Sequence, residues 1–180
     1  MNVVALVGMP GSGKSEVARV FQKHGYSAIR FGDITDEEVK KRGLKLDEGN
    51  ERMVREDLRK EHGMAAYAIL NLPRIQAALE KSNVVIDGLY SWEEYKFLKQ
   101  ELSSRLHIVA VWAPPGTRYA RLRTRSVRPL SADQAGQRDY AEIENVNKGG
   151  PIAMADFTIS NDSTLDSLME QANNIVKVLK

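Results

Sequence analysis

Residues 3–15, VVALVGMPGSGKS, constrain the fold of this chain more than any other stretch. Val3, Val4, Ala5, Leu6 and Val7 are apolar without alternation, as in a strand covered on both faces of a parallel sheet. Gly8, Gly13, Lys14 and Ser15 then fill the pattern G-x-x-x-x-G-K-[ST], with an additional Gly11. From Ser15 onward the sequence can open a helix, so strand, glycine-rich turn and helix follow in the order that builds a phosphate cradle. Successive backbone N–H groups of such a turn face inward at the positive end of the helix dipole. Gly8, Pro10, Gly11, Ser12, Gly13, Lys14, Ser15 and Glu16 are therefore the candidate nucleotide-binding set. Lys14 is placed to reach the β- and γ-phosphates and Ser15 to offer an oxygen to Mg²⁺.

The rest of the chain repeats the alternation that a doubly wound α/β sheet requires. Residues 27–31, 84–86, 107–112 and 157–159 read as further strands covered on both faces. Helical spacing runs through 14–24, 50–61, 64–81, 92–102, 118–125 and 164–179, and Pro73 is expected to kink or split the third of these. Two polar stretches, 35–49 and 126–136, read as mobile insertions at the mouth of the sheet. At 180 residues, with neither repeats nor linkers, one domain spanning 1–180 is expected. The absence of cysteine removes disulfides and thiolate chemistry. The three histidines are scattered rather than spaced as ligands. A net charge of +2 carries no polyanion-binding signature. With no signal-like N-terminus and no long apolar run, a cytoplasmic protein with no membrane partner is expected.

A second acidic element accompanies the loop. Val84-Val85-Ile86-Asp87 is an apolar strand ending in a carboxylate, which places Asp87 as a second Mg²⁺ ligand, directly or through water. A guanine reader of the Asn-Lys-x-Asp kind is missing, because Asn147-Lys148 is followed by Gly149-Gly150. Arg118, Arg121 and Arg125 share a helical face, Arg123 points elsewhere, and Arg128 and Arg138 follow. A basic group beside a flexible segment can close on a triphosphate and exclude water, which favours transfer over hydrolysis. The alternatives are a solvated basic face or an RNA-binding one. No interleaved aromatic residues suggest base stacking, so a nucleic-acid partner is not favoured.

With these residues in view, the chain resembles the P-loop nucleotide kinases, between adenylate kinases and dephospho-CoA kinases. It is most similar to a largely archaeal adenylate-kinase-related, dephospho-CoA kinase-like group. "VVIDGLYSWEEY" resembles the Asp-Gly-aromatic element of adenylate kinases through Asp87-Gly88. Arg121 and Arg125 match a paired-arginine spacing in the lid of dephospho-CoA kinases. "IAMADFTISNDS", residues 152–163, resembles the adenine-side strand and loop of the same enzymes, which implies that Asn161 lines an adenine pocket. The likeness implies a three-layer P-loop fold around five parallel strands, ATP and Mg²⁺ as cofactors, and an arginine lid over about 118–138. It also implies an acceptor-binding insertion over about 33–81 for a small nucleotide acceptor.

Asp33, directly after the second strand, matches an aspartate thought to take the acceptor hydroxyl's proton in dephospho-CoA kinases. It equally fits a helix N-cap. Where adenylate kinases place an acceptor-phosphate arginine, four residues beyond the Asp87-type carboxylate, this chain has Ser91. Serine cannot replace a bidentate clamp, so another cation must grip the acceptor or the acceptor offers no phosphate there. Arg30, Arg42, Arg52, Arg55 and Arg59 are candidates from the variable region. Asp33, Arg55, Gly88, Tyr90 and Arg138 form the candidate acceptor set. Tyr67, Trp92 and Tyr95 fit packing better than base stacking. A nucleotide-binding regulator or ATPase, and an RNA-directed kinase or maturation factor, are the alternatives to a phosphotransferase.

Overall fold

In the computed structural model, which describes residues 1–126 and 129–179, five parallel strands run in the order β2-β3-β1-β4-β5. They are β1 (Val3–Val7), β2 (Ser27–Arg30), β3 (Val84–Asp87), β4 (Leu106–Trp112) and β5 (Phe157–Ser160). The helices are α1 (Lys14–Lys23), α2 (Asp33–Lys41), α3 (Glu48–His62), α4 (Ala66–Leu79), α5 (Trp92–Leu102), α6 (Pro115–Thr124), α7 (Ala132–Glu144), α8 (Gly149–Ala153) and α9 (Leu165–Val178).

The unbroken apolar run of β1 divides its side chains between two cores. Val3, Ala5 and Val7 join α2, α3, α4 and α5 on one face, and Val4 and Leu6 join α1 and α9 on the other. Each strand residue alternates faces, so a central strand needs apolar groups at every position. That requirement holds for β1, β3 and β4, whereas the edge strands β2 and β5 are only partly covered. The expectation that all five are covered on both faces is corrected at the edges, where only one neighbouring strand is present.

Parallel register brings every strand's C-terminal end to one rim. Leu6 pairs with Asp87, Val7 with Ala110, Arg30 with Asp87 and Trp112 with Ser160. The turn after β1, the start of α2, the segment after Asp87 and the loop after Ser160 therefore meet at that rim, where ligand sites of open α/β sheets form.

Both polar stretches expected as insertions are largely helical. Residues 35–41 belong to α2, anchored by buried Thr35 and Val39, and only a short connection leads to the Asp47 cap of α3. Residues 132–136 open α7, whose Ser131 and Gln134 form a reciprocal capping box. That S-x-x-Q signature was legible in the sequence. Its weak apolar face masked it, since α7 is held chiefly by polar contacts. Pro73 neither splits nor ends α4. It lies on the exposed side with Ile69, so the carbonyl it leaves without an N–H partner can meet water. Helix α6 starts earlier than expected, with proline in its first turn, and α8 was not anticipated. Arg128 lies outside the described residues. Among the described residues no helix is long and apolar enough to cross a membrane.

Candidate functional site

The turn after β1 closes tightly against its neighbours. Gly13 has φ +104, and a Cβ there would lie 2.3 Å from the Asn161 side-chain nitrogen. Gly11, at φ +78, would meet the Arg118 carbonyl at 2.8 Å. Only glycine satisfies both the left-handed backbone and the close approach. No side chain among the described residues caps the start of α1, leaving its first N–H groups available to an anion.

Lys14 lies back across the turn, its Nζ donating to the Gly8 carbonyl at 2.9 Å and the Met9 carbonyl at 3.2 Å. Burial, then the ammonium of Lys148, pulls its pKa down to about 7. Ser15 Oγ donates to Asp87 Oδ2 at 2.7 Å, so the loop hydroxyl and the strand-end carboxylate expected at a metal are adjacent. Hard oxygen donors of this kind suit Mg²⁺, which takes one or two protein ligands and completes its shell with water and phosphate.

A cavity of about 770 Å³ opens beside the turn, lined by Gly11, Gly13, Lys14, Ser15, Glu16, Arg121, Arg125 and Asn161. Asn161 donates from Nδ2 to the Ser12 carbonyl at 2.8 Å and accepts Arg121 Nη2 on its backbone and side-chain oxygens at 3.1 and 3.3 Å. Arg121 Nη1 and Ser12 Oγ are buried without a partner among the described residues. Arg19 also lines the cavity and pairs with Glu16. Sequence reading missed Arg19, although it falls one helical turn beyond Ser15.

Arg118 departs from the expected shared arginine face. It is buried and forms a bidentate pair with Asp139 at 3.0 and 2.7 Å, while also donating to the Ala113 and Pro10 carbonyls at 3.1 and 3.2 Å. This guanidinium bolts α6 to α7 and to the phosphate turn rather than lining the cavity. Helix α6 ends at Thr124, so Arg125 reaches the cavity from extended backbone, not from the helical face predicted for it.

A second cavity of about 610 Å³ lies between α2, α3 and α7. Five arginines line it: Arg30, Arg52, Arg55, Arg59 and Arg138. Most hold carboxylates. Arg30 donates to Asp33 at 2.6 Å and Asp36 at 2.9 Å, Arg55 to Glu48 at 2.7 Å, and Arg138 to Glu142 at 3.2 Å. Arg59 sits 5.5 Å from the Tyr67 ring centroid, and its buried Nε has no partner among the described residues. Of the candidate acceptor residues, Arg55, Tyr90 and Arg138 line the cavity. Gly88 packs on Tyr90, and Asp33, the first residue of α2, is engaged by Arg30. The cap position of α2 falls to Gly32. Arg42 instead pairs with Glu38 and Asp57.

Ser91 is spent locally. Its Oγ accepts the Glu94 N–H at 3.0 Å in a capping box for α5 and donates to the Met64 carbonyl at 2.7 Å. Tyr67 and Tyr95 are buried and Trp92 is partly so, with Trp92 stacked on Tyr95 at 4.9 Å, in line with packing.

These features sit in a chain whose residues 4–145 match the AAA_18 family, described as AAA domain. A UPF0200 protein of Thermococcus gammatolerans is 37% identical over 179 residues, covering 97% of this chain and 94% of the relative. The chain belongs to the AAA_18 AAA-domain family and to the UPF0200 proteins. A UPF0200 protein of Methanosarcina barkeri is 34% identical over 181 residues, covering 99% and 95% of the two chains. Among solved structures, TT1252 of Thermus thermophilus superposes with TM-score 0.73 at 18% identity, over 98% of this chain and 96% of that one. A shikimate kinase of Bacteroides thetaiotaomicron reaches 0.63 at 14% identity, over 99% and 98%. A gluconokinase of Sinorhizobium meliloti reaches 0.62 at 15% identity, over 99% and 93%. At these identities the likeness is one of fold, and the fold is of the P-loop kinase type.

Beside Tyr90 and Arg138 stands a pair that sequence reading did not assign to the site, Glu142 and Lys148. Glu142 lines the second cavity and pairs with Lys148, whose ammonium lies 5.2 Å from the Tyr90 ring centroid. Burial alone would raise the Glu142 carboxyl, but Lys148 and then Arg138, with Lys14 contributing, bring it down to about 2. Deeper in the wall, burial pushes Glu94 up to about 7 despite its bonds from the Tyr90 and Ser91 amides. Lys148 follows an asparagine in a glycine-rich turn, so nothing in its neighbours predicted an interior position.

Proposed function

We propose that this protein is an ATP- and Mg²⁺-dependent phosphotransferase that moves the γ-phosphoryl group of ATP to a nucleotide or nucleotide-like acceptor. The acceptor class is a nucleoside monophosphate such as AMP, or a larger adenylate such as dephospho-CoA. The observation that carries this reading is the second, arginine-lined cavity beside the phosphate turn. Glu142 belongs to that cavity, and Lys14 of the first cavity acts on its charge. Hydrolysis alone would need only the first cavity.

In this reading the turn and the uncapped start of α1 hold the donor phosphates, and Lys14 swings from the Gly8 and Met9 carbonyls to the β- and γ-oxygens. Ser15 and Asp87 hold Mg²⁺, which supplies Lewis-acid neutralisation of phosphate charge when bound. Arg121 and Arg125 neutralise charge from the α6 side, and Asn161 borders the adenine. Residues 118–138 serve as the lid, anchored by the Arg118–Asp139 pair, and 33–81 serve the acceptor, all within one domain. As the bond from γ-phosphorus to the β-bridging oxygen breaks, a bond to the acceptor oxygen forms in line. With a hydroxyl acceptor, the proton passes to Asp33, whose contribution is mainly orientation because a carboxylate is a weak base. Arg30 sets the Asp33 side chain.

An acceptor panel tests this reading. ATP and Mg²⁺ are incubated with nucleoside mono- and diphosphates, nucleosides and dephospho-CoA, and product is scored by mass. A phosphorylated product from one acceptor class is expected. Slow hydrolysis independent of every addition would instead identify a nucleotide-binding regulator or ATPase.

A further inference from the structure

The turn between α7 and α8 buries a lysine behind the wall of the second cavity. Asn147 takes a left-handed conformation at φ 51, and the Lys148 N–H donates to the Glu142 carbonyl at 3.2 Å. The Val146 carbonyl accepts the Trp92 N–H at 3.2 Å, docking the turn on the segment that follows Tyr90. These bonds direct Lys148 inward until it is only 1% exposed, with its ammonium against Glu142 and over the Tyr90 ring.

Stability alone is a poor reason for this arrangement. Desolvating a lysine and a carboxylate costs about as much as their attraction returns, and apolar residues of the same volume usually serve a core as well or better. The composition of the cluster points elsewhere. Glu142 takes both Lys148 and Arg138 as ion-pair partners, with Glu48 a more distant second carboxylate for Arg138 at 3.9 Å. Asp87, which accepts from Ser15, is the carboxylate on the Lys14 side. Glu142, Arg138 and Tyr90 all line the second cavity, so the Lys148 ammonium stands directly behind that wall, on the far side of the carboxylate.

We infer that Lys148 is a further phosphate-binding residue, held by Glu142 until a phosphoryl group enters the second cavity beside that carboxylate. Glu142 is thus an internal stand-in anion, and the ligand class is a phosphate or phosphoryl oxygen. Lys148 forms no covalent bond; it exchanges a carboxylate for phosphate oxygens in a charge-assisted hydrogen bond. The inference rests on the donor–acceptor reading of the two cavities and adds a cation to it.

The test uses inorganic phosphate as the probe, titrated calorimetrically into the full chain with ADP and Mg²⁺ present, at fixed ionic strength. Losing one charge-assisted contact should weaken phosphate binding by about tenfold or more in Lys148→Met. Lys148→Arg should stay within about threefold of wild type, and ADP affinity should hardly change. Glu142→Gln should bind phosphate several-fold more tightly, because its competitor for Lys148 is gone. Loss of a nearby negative charge would by itself strengthen phosphate binding, so the deciding variant, should Lys148→Met fail to fold, is the double replacement Glu142→Gln with Lys148→Gln: the gain should vanish in it, and a gain that persists would overturn the inference. No phosphate binding by wild type, unchanged binding in folded Lys148→Met, or weaker binding in Glu142→Gln would each overturn the inference. The acceptor panel separates this from the kinase reading. Lys148-dependent phosphate binding without transfer would leave the inference standing alone, and full transfer by Lys148→Met would remove it while the kinase reading survives.

Discussion

The two cavities are built in opposite ways. The first is built around one short stretch, Gly11 to Glu16, and closed by Arg121, Arg125 and Asn161. At that stretch the glycine turn and the uncapped helix start offer backbone groups, so its shape there follows from glycine positions. The second is gathered from α2, α3, α7 and the segment after β3, and side chains supply nearly all its charge. A backbone-built site changes little with the chemistry of its neighbours. A side-chain-built site can exchange partners, as its arginines already do with Asp33, Asp36, Glu48 and Glu142. In the proposed reaction, the first half would be generic and the second selective.

Several measurements would sharpen or break this contrast. The largest effect is expected from Lys14→Ala, which should cut transfer by roughly a thousandfold or more while leaving the fold intact. Turnover at the wild-type rate would end the phosphotransfer assignment. Next comes Arg118→Ala, which strips a buried carboxylate of its partner and should cost about 3–5 kcal/mol by denaturant unfolding. Arg123→Ala, on the exposed side of α6, should stay within about 0.5 kcal/mol. If the two variants matched, Arg118 would not be the bolt joining the turn to α7.

Ser131→Ala removes one half of the α7 capping box and should cost about 1 kcal/mol. Because α7 carries Arg138 and Glu142, its loss should be felt at the second cavity. The check is whether nucleotide binding at the phosphate turn survives unchanged.

A separate set of effects lies in the pH dependence of stability. Glu94 titrates near 7 when folded against 4.5 as its ordinary value, so the native state holds a proton that the unfolded chain has lost. Stability from this group therefore falls as pH rises from about 4.5 to 7 and is level above that. Glu94→Gln should flatten that slope in a series of urea titrations. Glu142 has the opposite sign. Its carboxyl is depressed to about 2, so its contribution is present above about 4.5 and lost as pH falls towards 2. Equal slopes in wild type and Glu94→Gln between pH 4.5 and 7 would remove Glu94 as the buried carboxyl responsible.

Legibility followed the same division. The strand–turn–helix unit, the strand-end Asp87 and the five-stranded sheet could be read because each rests on local pattern: an apolar run, glycine spacing, or a carboxylate ending a strand. Helix α7 was missed although its cap was spelled out, because its apolar face is weak and its anchor, Asp139 to Arg118, joins residues 21 apart. The expectation of a shared face for Arg118, Arg121 and Arg125 failed for a related reason. Helical spacing fixes angle about an axis, but not what the axis is packed against or where the helix stops.

What the sequence determined by itself was thus the phosphate turn, its companion carboxylate and the parallel sheet that presents both, since hydrophobic period and backbone freedom are local properties of a chain. Tertiary structure alone decided that Arg118 is spent as a bolt, that Ser91 caps a helix, and that Lys148 is buried against Glu142 in the wall of the second cavity. Burial and charge pairing are properties of surroundings, and residues far apart in sequence acquire them only when the sheet brings its strand ends to one rim.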